Sequence, residues 1–305
     1  MAKSKRQREE REKRKKISAK KYTETSGKSQ TGLKLPDGVK QFKFLKAGRY
    51  YIDIIPFTAS SKNPDVNEGE PYFVRTYYVH KGFSEDYKSI VCLRKTFDKP
   101  CPLCNFRTKL IAKNPEQVRS ERGAPQTLAE KLYPKTRQLW NVWDRQDKES
   151  GVQVFEAAYN KSFGEKIAAY VSASCEEAEA EGKESEDEFF ADPIDGKTIV
   201  VTTTEDTYDG RKFFQPTSIT MKDRESPVPT SVLKKAPSLD EILEMNTMSA
   251  KDMEAYVNGT LSSTTAIATD DDEDEDDEFD EDEFENDEDE MDVSSILEFH
   301  TRTLK

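Results

Sequence analysis

Four side chains that bind soft metal ions fall within 25 residues: His80, Cys92, Cys101 and Cys104, spaced H-x11-C-x8-C-x2-C. In Cys101-Pro-Leu-Cys104, two thiols separated by two residues wrap a tight turn and aim both sulfurs at one ion. Tetrahedral Zn2+ then needs two more N or S ligands, and His80 and Cys92 stand nearby at expected strand ends. Two readings compete with a metal. The thiols could be free and buried, or Cys101 and Cys104 could form a redox pair, although no βαβ pattern surrounds them. For a chain expected inside a cell, metal is favoured over a disulfide. Four protein ligands leave no open position for water, so one structural Zn2+ that staples loops is the expectation. Cys175 stands alone in an acidic stretch.

Other catalytic patterns are absent from the sequence. The only other histidine is His300, and there is no Gly-rich phosphate loop, nucleophile elbow or paired-His metal motif. The expectation is a protein that is not an enzyme.

A second chemistry lies in aromatic residues set among cations. Tyr133-Pro-Lys135-Thr-Arg137-Gln-Leu-Trp140-Asn-Val-Trp143-Asp-Arg145 is one such stretch, and Tyr208-Asp-Gly-Arg211-Lys212-Phe213-Phe214 is another. Unpaired bases stack on aromatic faces at about 1–3 kcal/mol each, while Lys and Arg neutralise phosphates. Trp140 would sit on the strand face opposite Leu139 and Trp143. A strand tryptophan serves equally well as core, and Trp143 suits that role beside Leu139 and Val154. The candidate nucleic-acid contacts are Lys135, Arg137, Trp140, Trp143, Tyr159, Tyr208, Arg211, Lys212 and Phe213.

The elements that must position these residues are mostly strands. Gly48 to Phe57 and Pro71 to His80 are β-branched and aromatic runs separated by a polar loop. Ser89 to Arg94 predicts a short third strand. Arg137 to Asp144 and Val152 to Ala158 predict two more, with Asp147 to Gly151 as their turn. Gly196 to Thr204 and Lys212 to Ile219 predict a hairpin turned at Asp209-Gly210. Helices are expected at Asn105 to Lys113 and at Phe163 to Ser172, followed by an acidic loop from Glu176 to Glu188. Ser238 and Ser249, each with an acid three residues on, predict a helical pair near 238–257. The fold class is therefore mainly β with α insertions, organised as a small β-barrel.

Composition limits how much of the chain can be packed. Of 305 residues, 35% are charged and 34% hydrophobic, where a folded domain carries about 25% charged. One folded unit of roughly 200 residues with disordered ends follows. Charge is segregated along the chain. Residues 1–28 carry 12 Lys/Arg and 4 Glu, and residues 29–170 carry 24 basic and 16 acidic residues. Residues 171–269 reverse the balance with 9 basic and 20 acidic, and residues 270–293 hold 19 Asp/Glu and no cation. The net charge of −13 thus averages a basic front with an acidic tail. No apolar run nears the ~20 residues of a membrane span, and the first residues lack the apolar stretch of a secretion signal. A soluble, intracellular protein is expected.

From Lys34 to Ile219 the chain resembles the single-stranded DNA-binding (helix-destabilising) proteins of T-even-like bacteriophages. The resemblance rests on the His, Cys, Cys-Pro-x-Cys series, then Lys135-x-x-x-x-Trp140-Asn141, Val154-Phe155, and Phe163-Gly164-x-Lys166-Ile167. It continues through Asp192-Pro-x-Asp-Gly196, Tyr208 and Lys212-Phe213. Leu139 and Glu205 stand near positions where the family can carry aromatics. The resemblance implies an OB-fold with an inserted zinc subdomain, about 71–112 within a core of 32–225. It implies cooperative coating of single-stranded DNA in phage replication, recombination and repair, in the cytoplasm of the infected host. Residues 1–31 would be a disordered arm contacting neighbouring protomers through Arg14, Lys15, Lys16 and Ser18. After a short helical extension, 226–258, a linker and acidic tail, 259–305, would contact phage replication and recombination proteins. Two other classes compete: an acidic scaffold or chaperone for basic proteins, and a zinc-containing RNA-binding or transcription factor.

Overall fold

Alternating apolar and polar side chains build the strands at the centre of the molecule. In the computed structural model, residues 33–81, 89–118, 120, 126–208 and 211–267 are described. The strands are β1 (Lys40–Gln41), β2 (Gly48–Ile54), β3 (Phe57–Thr58), β4 (Pro71–Tyr72), β5 (Val74–His80) and β6 (Ile90–Val91). They continue with β7 (Lys135–Asp144), β8 (Val152–Ala158), β9 (Lys197–Tyr208) and β10 (Arg211–Asp223). The helices are α1 (Leu93–Phe97), α2 (Pro102–Lys113), α3 (Leu128–Lys131), α4 (Phe163–Ala180), α5 (Thr230–Leu233), α6 (Leu239–Met245) and α7 (Ala250–Ile267).

Eight strands form one mixed sheet in the order β1-β8-β7-β2-β9-β10, and β5 joins β7 beside β2 and carries β6. Only β1 and β8 run parallel. On one edge β7 bonds β8. On the other it bonds β5 along Lys135 to Trp140 and β2 along Val142 to Asp144. The β9–β10 register slips between Pro216 and Ser218, where proline cannot supply a ladder N–H.

The expected closed barrel does not form among the described residues, because no ladder joins β10 back to the rest of the sheet. Helix α4 packs against both β8 and β10 instead. Its Phe163 and Ile167 enter the main apolar cluster with Tyr50, Ile52, Trp140, Phe155 and Ile199. The helix fills the space that a further strand would have to close.

Local chemistry also moved several boundaries. Ser89 to Arg94 gives a strand only at Ile90–Val91, because the Cys92 sulfur accepts from the Lys95 N–H and starts α1. Helix α4 runs on to Ala180 through residues expected as a loop, since Ala and Glu are good helix formers with solvent on one side. The β7–β8 turn closes on Gly151 at φ 68°, a backbone conformation that glycine adopts without strain. The Asp209-Gly210 turn lies outside the described residues. Ser238 and Ser249 each accept the N–H three residues on, as a helix cap should. Helix α7 continues through Gly259 to Ile267, so the start of the expected linker is helical. No described helix is long and apolar enough to cross a membrane.

The segment after β10 is bound into the core by each of its helices. Val228, Val232 and Leu233 pack with Ile55 and Trp143. Leu239, Ile242 and Leu243 pack with Tyr77, Val79, Leu139 and Val154. Asp240 pairs with the buried Arg75 at 2.8 Å and also accepts from the Ser60 N–H. Burial pushes the Arg75 guanidinium down from its ordinary value, and Asp240 opposes that push. Asp240→Ala should therefore destabilise the fold by about 3–5 kcal/mol, because it strands a desolvated cation. Urea denaturation of both proteins measures the loss.

Candidate metal centre

Each of the four candidate ligands sits where an element begins or ends. His80 is the last residue of β5, Cys92 caps α1, Cys101 caps α2, and Cys104 lies in the first turn of α2 behind Pro102. Proline at the first helical position carries no N–H to leave unsatisfied, so it starts α2 directly after Cys101. The turn then brings both sulfurs to the same side.

The four ligand atoms all lie within 4.8 Å of one another, and all four residues are buried. Cys92 Sγ is 3.5 Å from Cys104 Sγ, and His80 Nε2 is 3.4 Å from Cys101 Sγ and 3.6 Å from Cys104 Sγ. A tetrahedral ion with metal–sulfur bonds of about 2.3 Å and metal–nitrogen bonds of about 2.0–2.1 Å has S···S edges near ~3.8 Å and N···S edges near ~3.6 Å. The three short distances match those edges to within about 0.3 Å, and the cluster could hold one metal ion. A disulfide would need sulfurs about 2.05 Å apart, and all four cysteines are free thiols.

The remaining imidazole nitrogen decides which atom faces the ion. His80 Nδ1 lies 2.7 Å from the Leu132 carbonyl oxygen. A carbonyl only accepts, so Nδ1 carries a proton, and Nε2, which faces the sulfurs, offers its lone pair when a metal displaces any proton there. Burial opposes a charged His80, yet hydrogen bonds with Cys101 and Cys92 push it up to about 9. Hydrogen bonds among the sulfurs drive the Cys101 thiol far down and the Cys104 thiol far up. Without a metal the protons therefore sit unevenly, held by His80 and Cys104 and given up by Cys101, and a metal ion would take their place.

Helix α7 closes the centre from the far end of the described chain. Met253 Sδ is 3.7 Å from Cys101 Sγ, and Met253 and Val257 share an apolar cluster with Cys92, Leu103 and Leu132. Nothing in the spacing around Met253 marks it as a neighbour of a site 150 residues earlier. The Leu132 carbonyl was equally invisible, because every residue carries one.

The expected nucleic-acid contacts are scattered rather than gathered. Trp140 is only 2% exposed, wedged edge-on against Phe163 and tilted over Phe73, so it is a core residue and no stacking platform. Trp143 is 5% exposed, packed on Ile55, Val152 and Val228 with the Arg145 guanidinium 4.4 Å from its ring centroid. Both placements have one cause: from Gln138 to Asp144 β7 is covered on both faces, so neither parity of side chain meets solvent there. Arg137 is held by Glu156 at 2.6 Å, and Tyr77 donates to the same carboxylate. Lys135 and Tyr159 are half-buried at the start of β7 and just past β8. Lys212 is exposed and paired with Glu205, and Phe213 beside it is exposed. Tyr208 and Arg211 face each other across the hairpin backbone. Arg14, Lys15, Lys16, Ser18 and the acidic tail lie outside the described residues.

No family model, curated protein or solved structure matches this chain.

Removing the metal should loosen α7 as well as the loops that carry the ligands. Hydrogen exchange with and without a chelator should show faster exchange at 250–259, while β9 is unchanged. The ligands must be deprotonated to bind a metal, so affinity should fall as pH falls. Separately, Trp140→Ala should cost about 3–5 kcal/mol of stability, measured by denaturation, as expected of a large core side chain.

Proposed function

We propose that this chain is a single-stranded DNA-binding protein that coats DNA cooperatively during phage replication, recombination and repair. We read its sheet as an OB-type sheet left open by α4, and its metal as one structural Zn2+. The observation that carries the reading is the His80, Cys92, Cys101, Cys104 centre, buried between β5 and β7 of a mainly β chain. That is the order of elements the resemblance requires. Four buried protein ligands leave no position for a reacting water, which supports a binding role over a catalytic one.

Charge supports the same reading. Residues 1–28 carry 12 Lys/Arg against 4 Glu, suited to phosphates and to contacts between protomers through Arg14, Lys15, Lys16 and Ser18. The 19 carboxylates of 270–293 suit capture of partner replication and recombination proteins. The site of action is the cytoplasm of the infected host.

Anisotropy titration of labelled oligo-dT across a salt series tests the proposal. Tight binding should weaken with a log–log slope of about −0.7 for each phosphate contacted. Preference for duplex DNA, for RNA or for cationic proteins would overturn it. Deleting residues 1–21, with 11 Lys/Arg and 3 Glu, should weaken coating of long poly-dT far more than binding to an oligomer covering one site. Equal losses on both would mean that the arm contacts phosphates and not its neighbours.

A further inference from the structure

The outer face of the sheet is covered at one end and open at the other. Trp143 and Ile55 on that face lie under Val228, Val232 and Leu233. Beyond them is a groove of about 420 Å³ across β2, β9 and β10. Its side chains follow from strand parity. Tyr50, Ile52 and Ile54 turn into the core, so Arg49 and Tyr51 turn outward. Ile199, Val201, Ile219 and Met221 turn inward likewise, which leaves Val200, Thr202, Ser218, Thr220 and Lys222 on the outside.

The register arranges these residues in rows. Arg49 lies level with Thr202 and Ser218, and Tyr51 lies level with Val200 and Thr220. Lys222, level with Thr198, opens the next row. A cation, a ring and a second cation therefore succeed one another at about 7 Å per row, the rise of two strand residues. Lys222 Nζ lies 4.9 Å from the Tyr51 ring centroid, so one cation already reaches the face of the aromatic.

The charged side chains that line the groove, Arg49 and Lys222, are both cations. Arg49 has no ion-pair partner among the described residues. Lys222 is 3.6 Å from Glu225, which is 87% exposed and so strongly screened by water. Beside Tyr51, the buried Asp53 carboxylate is paired with two guanidiniums, Arg145 at 2.5 Å and Arg224 at 3.2 Å, so it presents no unpaired negative charge to the groove.

From this arrangement we infer that the open face of β2, β9 and β10 binds single-stranded DNA, with Tyr51 stacking a base and Arg49 and Lys222 holding the flanking phosphates. The inference rests on the single-stranded DNA reading above and gives it a surface that the buried tryptophans cannot supply. An incoming phosphate draws Lys222 off the ring, since a full charge attracts an ammonium more strongly than a π-face does. The hydroxyls of Thr202, Ser218 and Thr220 donate to whatever oxygens lie between. The groove holds no acidic side chain among its lining residues.

The test uses the full-length, metal-loaded protein and an oligo-dT long enough for one site. Tyr51→Ala should weaken binding roughly 5- to 150-fold with the salt slope unchanged, and Tyr51→Phe should bind nearly as the parent does. The double change Arg49→Ala, Lys222→Ala should reduce the slope by about 1.4. Lys183→Ala, an exposed cation elsewhere, should alter neither quantity. Circular dichroism melting checks folding, and if Tyr51→Ala fails to fold, the two exposed cations decide the result. Parent binding with unchanged affinity and slope in these variants overturns the surface and leaves the DNA-binding reading standing. No binding of oligo-dT by the parent overturns both, and tighter binding of RNA by the parent through the same residues overturns the choice of DNA.

Discussion

Strand β7 must satisfy three partners at once, and the arrangement of both halves of the molecule depends on how it does so. One edge is given wholly to β8, while the other is divided between β5 and β2. A divided edge forces β5 and β2 to diverge, because two strands cannot occupy the same line of hydrogen-bond partners. The β5 branch carries His80 away toward the metal centre. The β2 branch carries the β9–β10 hairpin. The metal centre and the open groove therefore hang from opposite ends of a single strand that is buried on both faces.

Coverage of β7 on both sides is achieved with material far apart in the chain. Phe163 and Ile167 of α4 approach from one side. Leu239, Ile242 and Leu243 of α6 approach from the other, anchored by Asp240 on Arg75 and by the Asn141 amide donating to the Pro237 carbonyl. A buried ion pair adds little net stability over apolar packing, but it penalises any seating of α6 that leaves either charge unpaired. Helix α7 then reaches the metal ligands through Met253. The last described helix is thus placed by the same cluster that ties His80, Cys92, Cys101 and Cys104 together.

These features divide the labour between rigidity and charge. The ligand cluster draws together loops that have few apolar residues of their own, and a metal ion held there by four protein ligands would be a fastener without a reacting position. The surface chemistry lies elsewhere, on strand positions where alternate residues escape the core. An aromatic ring between two cations is a modest feature in any one strand. Three strands in register repeat it in rows, since the row spacing is set by the backbone and not by side-chain conformation.

The sequence by itself determined the four residues of the buried His/Cys cluster, most strands and the helix caps. Those are local matters: a Cys-x-x-Cys turn, a period of two, or a serine three residues before an acid each acts within one turn or one strand. Even the tryptophan parity was right, since Leu139 and Trp140 do point to opposite sides. What only the tertiary structure decided is which sides meet water. Trp140 looked available because one face of a strand in a small antiparallel sheet is usually solvated, but α4 and α6 cover both faces here. Nothing in the apolar run around Tyr51 singles it out, yet the β2–β9–β10 face stays open beyond the reach of the segment after β10. Barrel closure, the seat of α7 on Cys101 and the Leu132 carbonyl behind His80 were likewise beyond local reading. Each depends on contacts between residues far apart in the chain, and hydrophobic burial does not encode a partner's address.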